Sequence, residues 1–286
     1  MEGCRNTLLM MVVFGMSVNY GKIVSDALKK DAFSRKSLPI ICIIVLVAAP
    51  ILTFILSFIF GVPFGIPTFL LLLLILLVLP IFWILTLFLG GIVIKQAGED
   101  ARDKCISFKE SFQFVKNKML SLVCAGILIA FIRSVINTSI SNIPYVGGLF
   151  NLIVSILGLI FSIFVELLVF VTYPYIILGE KGAIDAISAS AHHFFEKKLQ
   201  VFIIWLIESV ITLVITFIFA IPFITIILPF ILSHFHLEKL PHPHLFSPIC
   251  LAGSVIILSI GIAIALVFSY AVTARYYISA IGGTDE

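Results

Sequence analysis

Six long apolar runs constrain this chain more than any other feature. A helix crosses a hydrocarbon core in about 20 residues, and the runs cover roughly residues 38–60, 67–95, 119–141, 146–178, 199–233 and 248–280. The connections between them alternate in character. Stretches 61–66 and 142–145 carry no charge, whereas 95–118 holds six basic residues and 179–198 holds three. Together with the six basic residues ahead of the first run and Arg275, this puts sixteen of the eighteen lysines and arginines on one side of the pattern. Arg133, inside a run, and Lys239 are the exceptions. Basic residues are retained in the cytoplasm during insertion. The reading is therefore a multi-pass protein of the plasma membrane with both termini cytoplasmic.

Composition agrees. Of 286 residues, 61% are hydrophobic and 12% charged, too few charges to cover a water-soluble domain of this length. The net charge of +3 suits contact with an anionic leaflet and excludes a nucleic-acid module, which needs a basic face in water. Cys4, Cys42, Cys105, Cys124 and Cys250 contain no CxxC spacing and read as small apolar residues. No cofactor is expected.

The fold class expected is all-α, a polytopic membrane bundle of six transmembrane helices in three pseudo-repeated hairpins, each preceded by an amphipathic interfacial helix. Residues 1–15 read as an N-terminal extension ahead of a single membrane domain at 16–286, with repeat units at about 20–100, 101–180 and 181–281. Each unit opens on an amphipathic stretch (residues 22–30, 105–112 and 183–190) and reaches a basic step before its first span: Arg35-Lys36, Asn117-Lys118 and Lys197-Lys198. A turn of one kind then recurs as Val62-Pro63-Phe64, Ile143-Pro144-Tyr145 and Ile221-Pro222-Phe223. With Pro222 and Pro229 inside it, the fifth run is expected to end near Phe219, followed by a short second helix.

The opening helices have a physical task. Ile23, Val24, Ala27 and Leu28 fall on one face of the first, with Lys22, Asp26, Lys29 and Lys30 opposite; Ile184, Ile187, Ala191, Phe194 and Phe195 line up on the third. Such helices lie in the interface with basic residues at lipid headgroups, which makes Lys29, Lys30, Lys36, Lys118, Lys197 and Lys198 the candidate lipid-surface residues. Packing of the same helices on their neighbours is the alternative.

Three segments carry a family resemblance: Tyr173-Pro174-Tyr175-Ile176-Ile177; Asp185-Ala186-Ile187-Ser188-Ala189-Ser190 through Phe194-Phe195-Glu196-Lys197-Lys198-Leu199; and Thr273-Ala274-Arg275-Tyr276-Tyr277. In these the chain resembles a family of six-helix prokaryotic membrane proteins, distantly similar to the membrane domain attached to some bacterial glycerophosphodiester phosphodiesterases. The resemblance implies architecture; it transfers no active site, and no phosphodiesterase domain is present.

Ionisable groups inside membrane runs mark function or a specific ion pair, and here they are Arg133, Glu166 and Glu208, with Asn137 beside them. At a rise of about 1.5 Å per residue they lie roughly 21, 18 and 14 Å from the cytoplasmic ends of their runs, close enough in height to meet. One reading is a polar cavity binding a proton or cation; the other is a structural salt bridge. His234, His236, His242 and His244 form two His-x-His pairs in an outer loop, a residue type that ligates zinc or copper, although a solvated, interface-hugging loop accounts for them better, since residues i and i+2 do not share a helical face. Three functions follow: a non-enzymatic membrane protein organising lipid or a membrane partner, a second copy included; a transporter using the Arg/Glu cluster; or a membrane enzyme with metal at the histidines.

Overall fold

The protein is described by a computed structural model over residues 18–59, 68–141, 148–234 and 248–281, with the side chains at 54–59, 68–75, 136–141, 148–152, 229–234 and 248–249 outside that description. Among the described residues every regular element is helical: α1 (Tyr20–Asp26) running into a π-helical segment (Ala27–Ala32), α2 (Leu38–Ile59), α3 (Thr68–Ala101), α4 (Phe108–Ser141), α5 (Gly148–Val169), α6 (Thr172–Ile177), α7 (Ala183–Glu196), α8 (Lys198–His234) and α9 (Pro248–Ala280). Five stretches are long and apolar enough to cross a membrane: Leu76–Ala101, Phe108–Val135, Ile153–Ile177, Lys198–Leu228 and Cys250–Ala280. Over its described side chains, Leu38–Thr53 is a shorter apolar helix. Leu120, Phe131, Leu213 and Phe217 stand exposed along these helices, an arrangement suited to lipid as the surrounding medium.

The chain divides into two compact units, one of Met1–Ala27, Gly91–Glu208 and Tyr270–Glu286, the other of Leu28–Gly90 and Ser209–Ser269. The first unit packs around Ile92, Val115, Leu122, Ile176, Ile204 and Tyr276, all buried. Gly91 on α3 lets Val115 and Leu122 of α4 approach; a Cβ there would lie 2.8 Å and 3.1 Å from their methyl carbons. The second unit buries Ile40, Leu87, Ile215 and Phe268. In it the Phe219 ring seats against Gly261, where a Cβ would meet Phe219 Cγ at 2.6 Å. Both are close approaches of the kind small residues allow between membrane helices.

Three expectations about segmentation require correction. The fifth run does not end near Phe219, and Ile221-Pro222-Phe223 is not a turn: α8 continues through both prolines for 37 residues. Each proline removes a single i→i−4 bond, and an apolar run with no capping residue favours keeping the other backbone groups paired within one helix. Thr225 Oγ1 also donates to the Pro222 carbonyl at 2.8 Å. The second repeat's opening stretch is likewise not a separate helix. Ser107 Oγ accepts from the Glu110 N–H at 3.2 Å and Glu110 Oε2 accepts from the Ser107 N–H at 3.0 Å. This capping box starts α4 at Phe108, and no break follows within its 34 residues.

The fourth run, read as one span, is interrupted at Phe170–Val171, between α5 and α6. Pro174 explains this: its ring nitrogen cannot donate to the Phe170 carbonyl and its ring crowds that oxygen. Proline is tolerated in the first turn of a new helix, and the chain restarts as α6. The Ser190 hydroxyl on α7 repairs the junction. It donates to the Leu168 carbonyl at 2.7 Å and accepts the Val171 N–H at 3.3 Å, satisfying groups freed on both sides of the break.

Candidate functional site

The first unit brings together two of the three intramembrane charges expected to meet. Arg133 Nη2 on α4 donates to Glu166 Oε2 on α5 at 2.7 Å. Arg133 lies on the same helical line as Leu122, Gly126 and Ile129, the inward stripe of α4, and Glu166 falls one turn before the α5–α6 break. Tyr173, just past the break, lies within electrostatic reach of both charges. The pair is not sealed: the Arg133 side chain is 41% exposed and that of Glu166 45%, while Arg133 Nε is buried without a hydrogen-bond partner among the described residues. Glu208 is buried on α8. Asn137 lies on α4 beyond the described side chains. The pair carries no net charge, which suits a structural bridge. Its position beside an interrupted helix is the arrangement polar sites adopt in transporters.

A second polar cluster, not foreseen, occupies the C-terminal end of α9. Arg275, buried, reaches Asp100 at the end of α3 through Nη2 at 2.7 Å and Asp26 on α1 through Nη1 at 3.7 Å. Asp26, expected on the solvent face of α1 with the lysines, turns instead toward Arg275 while Ile23 and Ala27 pack inward. Next to it on α9, Tyr276 is fully buried, and its hydroxyl lies 3.1 Å from His193 Nε2 on α7. Burial first, then the nearby Lys197, pushes the His193 imidazole down to about 4, with Glu196 opposing; it is neutral at pH 7. The sequence held one signal for this cluster: an arginine next to two tyrosines at the end of an apolar run is an unusual cation to leave unpaired.

The lipid-surface candidates divide. Lys29, Lys30, Lys36 and Lys198 are exposed. Lys118 Nζ donates to the Glu180 carbonyl at 3.3 Å, and Lys197 Nζ donates to the Ala280 carbonyl at 2.8 Å, where a lysine closes the last turn of α9. Helix α7 also divides the apolar line expected to face lipid. Ala186, Ser190, His193 and Phe194 are buried, whereas Ile184 remains 74% exposed and Phe195 54%. These last two lie eleven residues apart, three helical turns on one line. Lys198 stands beside Phe195, its ammonium 5.8 Å from the ring.

Of the histidines, His234 closes α8 with its side chain outside the described set, and His236, His242 and His244 lie outside the described residues. Among the described residues no group of three or more His, Cys, Asp or Glu side chains is placed to hold a metal ion. Compared with protein-family models, curated proteins and solved structures, the chain matches none.

Proposed function

We propose that this chain is a plasma-membrane protein of six spans, with α2 as the first, both termini cytoplasmic, and three hairpins related by repetition, akin to the six-helix prokaryotic family named above. It acts without catalysis, organising anionic lipid through the helices on its cytoplasmic side. The observation that carries this reading is that Ile184 and Phe195 stand exposed on one line of α7, with Lys198 beside Phe195. Apolar side chains of that size flanked by lysine sit at the acyl boundary while the ammonium reaches phosphate. The opposite face of α7 is held by protein, so the helix is fixed at the surface as a built platform. Lys29 and Lys30 supply the same chemistry from the π-helical segment.

Each lysine near an anionic surface contributes about 1 kcal/mol of attraction. Replacing Lys29, Lys30 and Lys198 by glutamate in vesicles with brominated phosphatidylglycerol or brominated phosphatidylcholine tests this. Quenching of Trp205, seven residues after Lys198, should favour the anionic lipid in the original protein and lose that preference in the variant. Equal quenching by both lipids before and after substitution would end the lipid reading. A second reading, ion or small-molecule transport, draws on the interrupted helix beside Glu166. It requires that Glu166→Gln abolish coupled flux in liposomes while stability is kept.

A further inference from the structure

The open ion pair poses a problem of solvation. Taking the membrane reading above, the Lys118–Glu180 contact marks the cytoplasmic level. Arg133 lies 15 residues beyond Lys118 on the continuous helix α4, about 22 Å along its axis. In a core about 30 Å thick that is beyond the midplane, out of reach of cytoplasmic headgroups. Charged side chains at such depth face protein or a water-filled space, because hydrocarbon leaves them unsolvated. Yet Arg133 and Glu166 are 41% and 45% exposed. The inward stripe of α4 is buried at Leu122 and Ile129 and loses its cover at Arg133. On α5, Leu159 shares the line of Glu166 two turns away and is exposed, as is Ile156 a turn further.

We propose that this α4–α5 face receives a second copy of the chain within the membrane. The patch is self-complementary in charge: one cation and one anion of nearly equal exposure, 2.7 Å apart and summing to zero. Around a two-fold axis each guanidinium meets the carboxylate of the other copy as well as its own. The two pairs then form a ring of alternating sign, with Leu159 and Ile156 closing the apolar rim. A two-fold interface uses the same patch on both partners. The arginine has donors to spare, since Glu166 engages Nη2 and a guanidinium carries five N–H groups. The carboxylate likewise accepts more than one bond. A partner of one charge sign would leave part of the pair uncompensated; a second copy does not.

The experiment is energy transfer between donor- and acceptor-labelled full-length chains in liposomes, with co-flotation confirming insertion. The original chain should associate. Arg133→Glu gives a face with two anions and Glu166→Arg a face with two cations, so each alone should associate at least tenfold more weakly. Mixed with each other, they should recover. Arg133→Gln with Glu166→Gln removes both charges without leaving either unpaired, so its fold does not depend on the bridge; it should also associate at least tenfold more weakly. Inserted chains that remain monomeric, a neutral variant that associates like the original, or folded single variants that fail to recover on mixing would each overturn the proposal. A chain that does not float with the vesicles sinks the membrane reading as well.

Discussion

Ser190→Ala isolates the junction between α5 and α6. The serine is fully buried, and its hydroxyl serves two backbone groups from Leu168 and Val171. Alanine removes one oxygen and leaves a void smaller than a methyl group, so packing contributes little. Two backbone groups instead lose a partner where water does not reach, at about 1–3 kcal/mol each. The Val171 bond, at 3.3 Å, is the weaker, which places the total near 3 kcal/mol. Because Pro174 creates the need for the repair, the two residues are coupled. In Pro174→Ala the Phe170 carbonyl regains a donor, the helix can close across the gap, and Ser190→Ala should then cost about 1 kcal/mol or less. The assay is unfolding in mixed micelles followed by the fluorescence of Trp83 and Trp205. A loss below about 0.5 kcal/mol for Ser190→Ala, or full additivity with Pro174→Ala, would refute the claim that this hydroxyl sustains the break.

Further outcomes follow from the same unit. Below pH 6.5 the unfolded chain protonates His193 while the folded one does not until about pH 4. Stability is therefore complete above pH 6.5 and falls as the pH drops toward 4, by up to about 3 kcal/mol; thermal unfolding between pH 4 and 7 should lose that slope in His193→Gln. Arg275→Met takes the guanidinium away from Asp100 and Asp26, both partly solvated, and should cost about 2–3 kcal/mol by chemical unfolding. Asp103 adopts φ 58° at the end of α3, where the Lys104 N–H bonds the Glu99 carbonyl at 2.9 Å. Asp103→Gly should raise stability by about 0.5–1 kcal/mol, read as a higher unfolding temperature.

What the sequence disclosed and what it hid divide along physical lines. Helical class and apolar spans were legible because they depend on runs of like residues, which lipid requires at any register. The Arg133–Glu166 contact was legible too, since a charge in an apolar helix needs a partner at matching height. Boundaries were less so. Proline was read as a stop in α8, where the chain ignores it, and passed over at Pro174, where the chain obeys it. The difference lies in a partner 16 residues away: Ser190 supplies bonds at one site, and no local rule encodes that. The docked face of α7 was missed for a related reason. Hydrophobicity pointed to Ile184, Phe194 and Phe195, but of these only Phe194 lies on the buried face, beside Ala186, Ser190 and His193, which sit there by size and hydrogen bonding. Likewise Arg275 read as one more basic residue because Asp26 and Asp100 are far from it in sequence.

The side of the membrane that the basic connectors occupy decides the topology. Lys104→Cys and Lys181→Cys, each in a chain otherwise lacking cysteine, can be exposed in intact cells to a maleimide that does not cross membranes. Both should stay unlabelled until the membrane is permeabilised and then react fully. Labelling of either connector in unbroken cells would contradict a cytoplasmic placement.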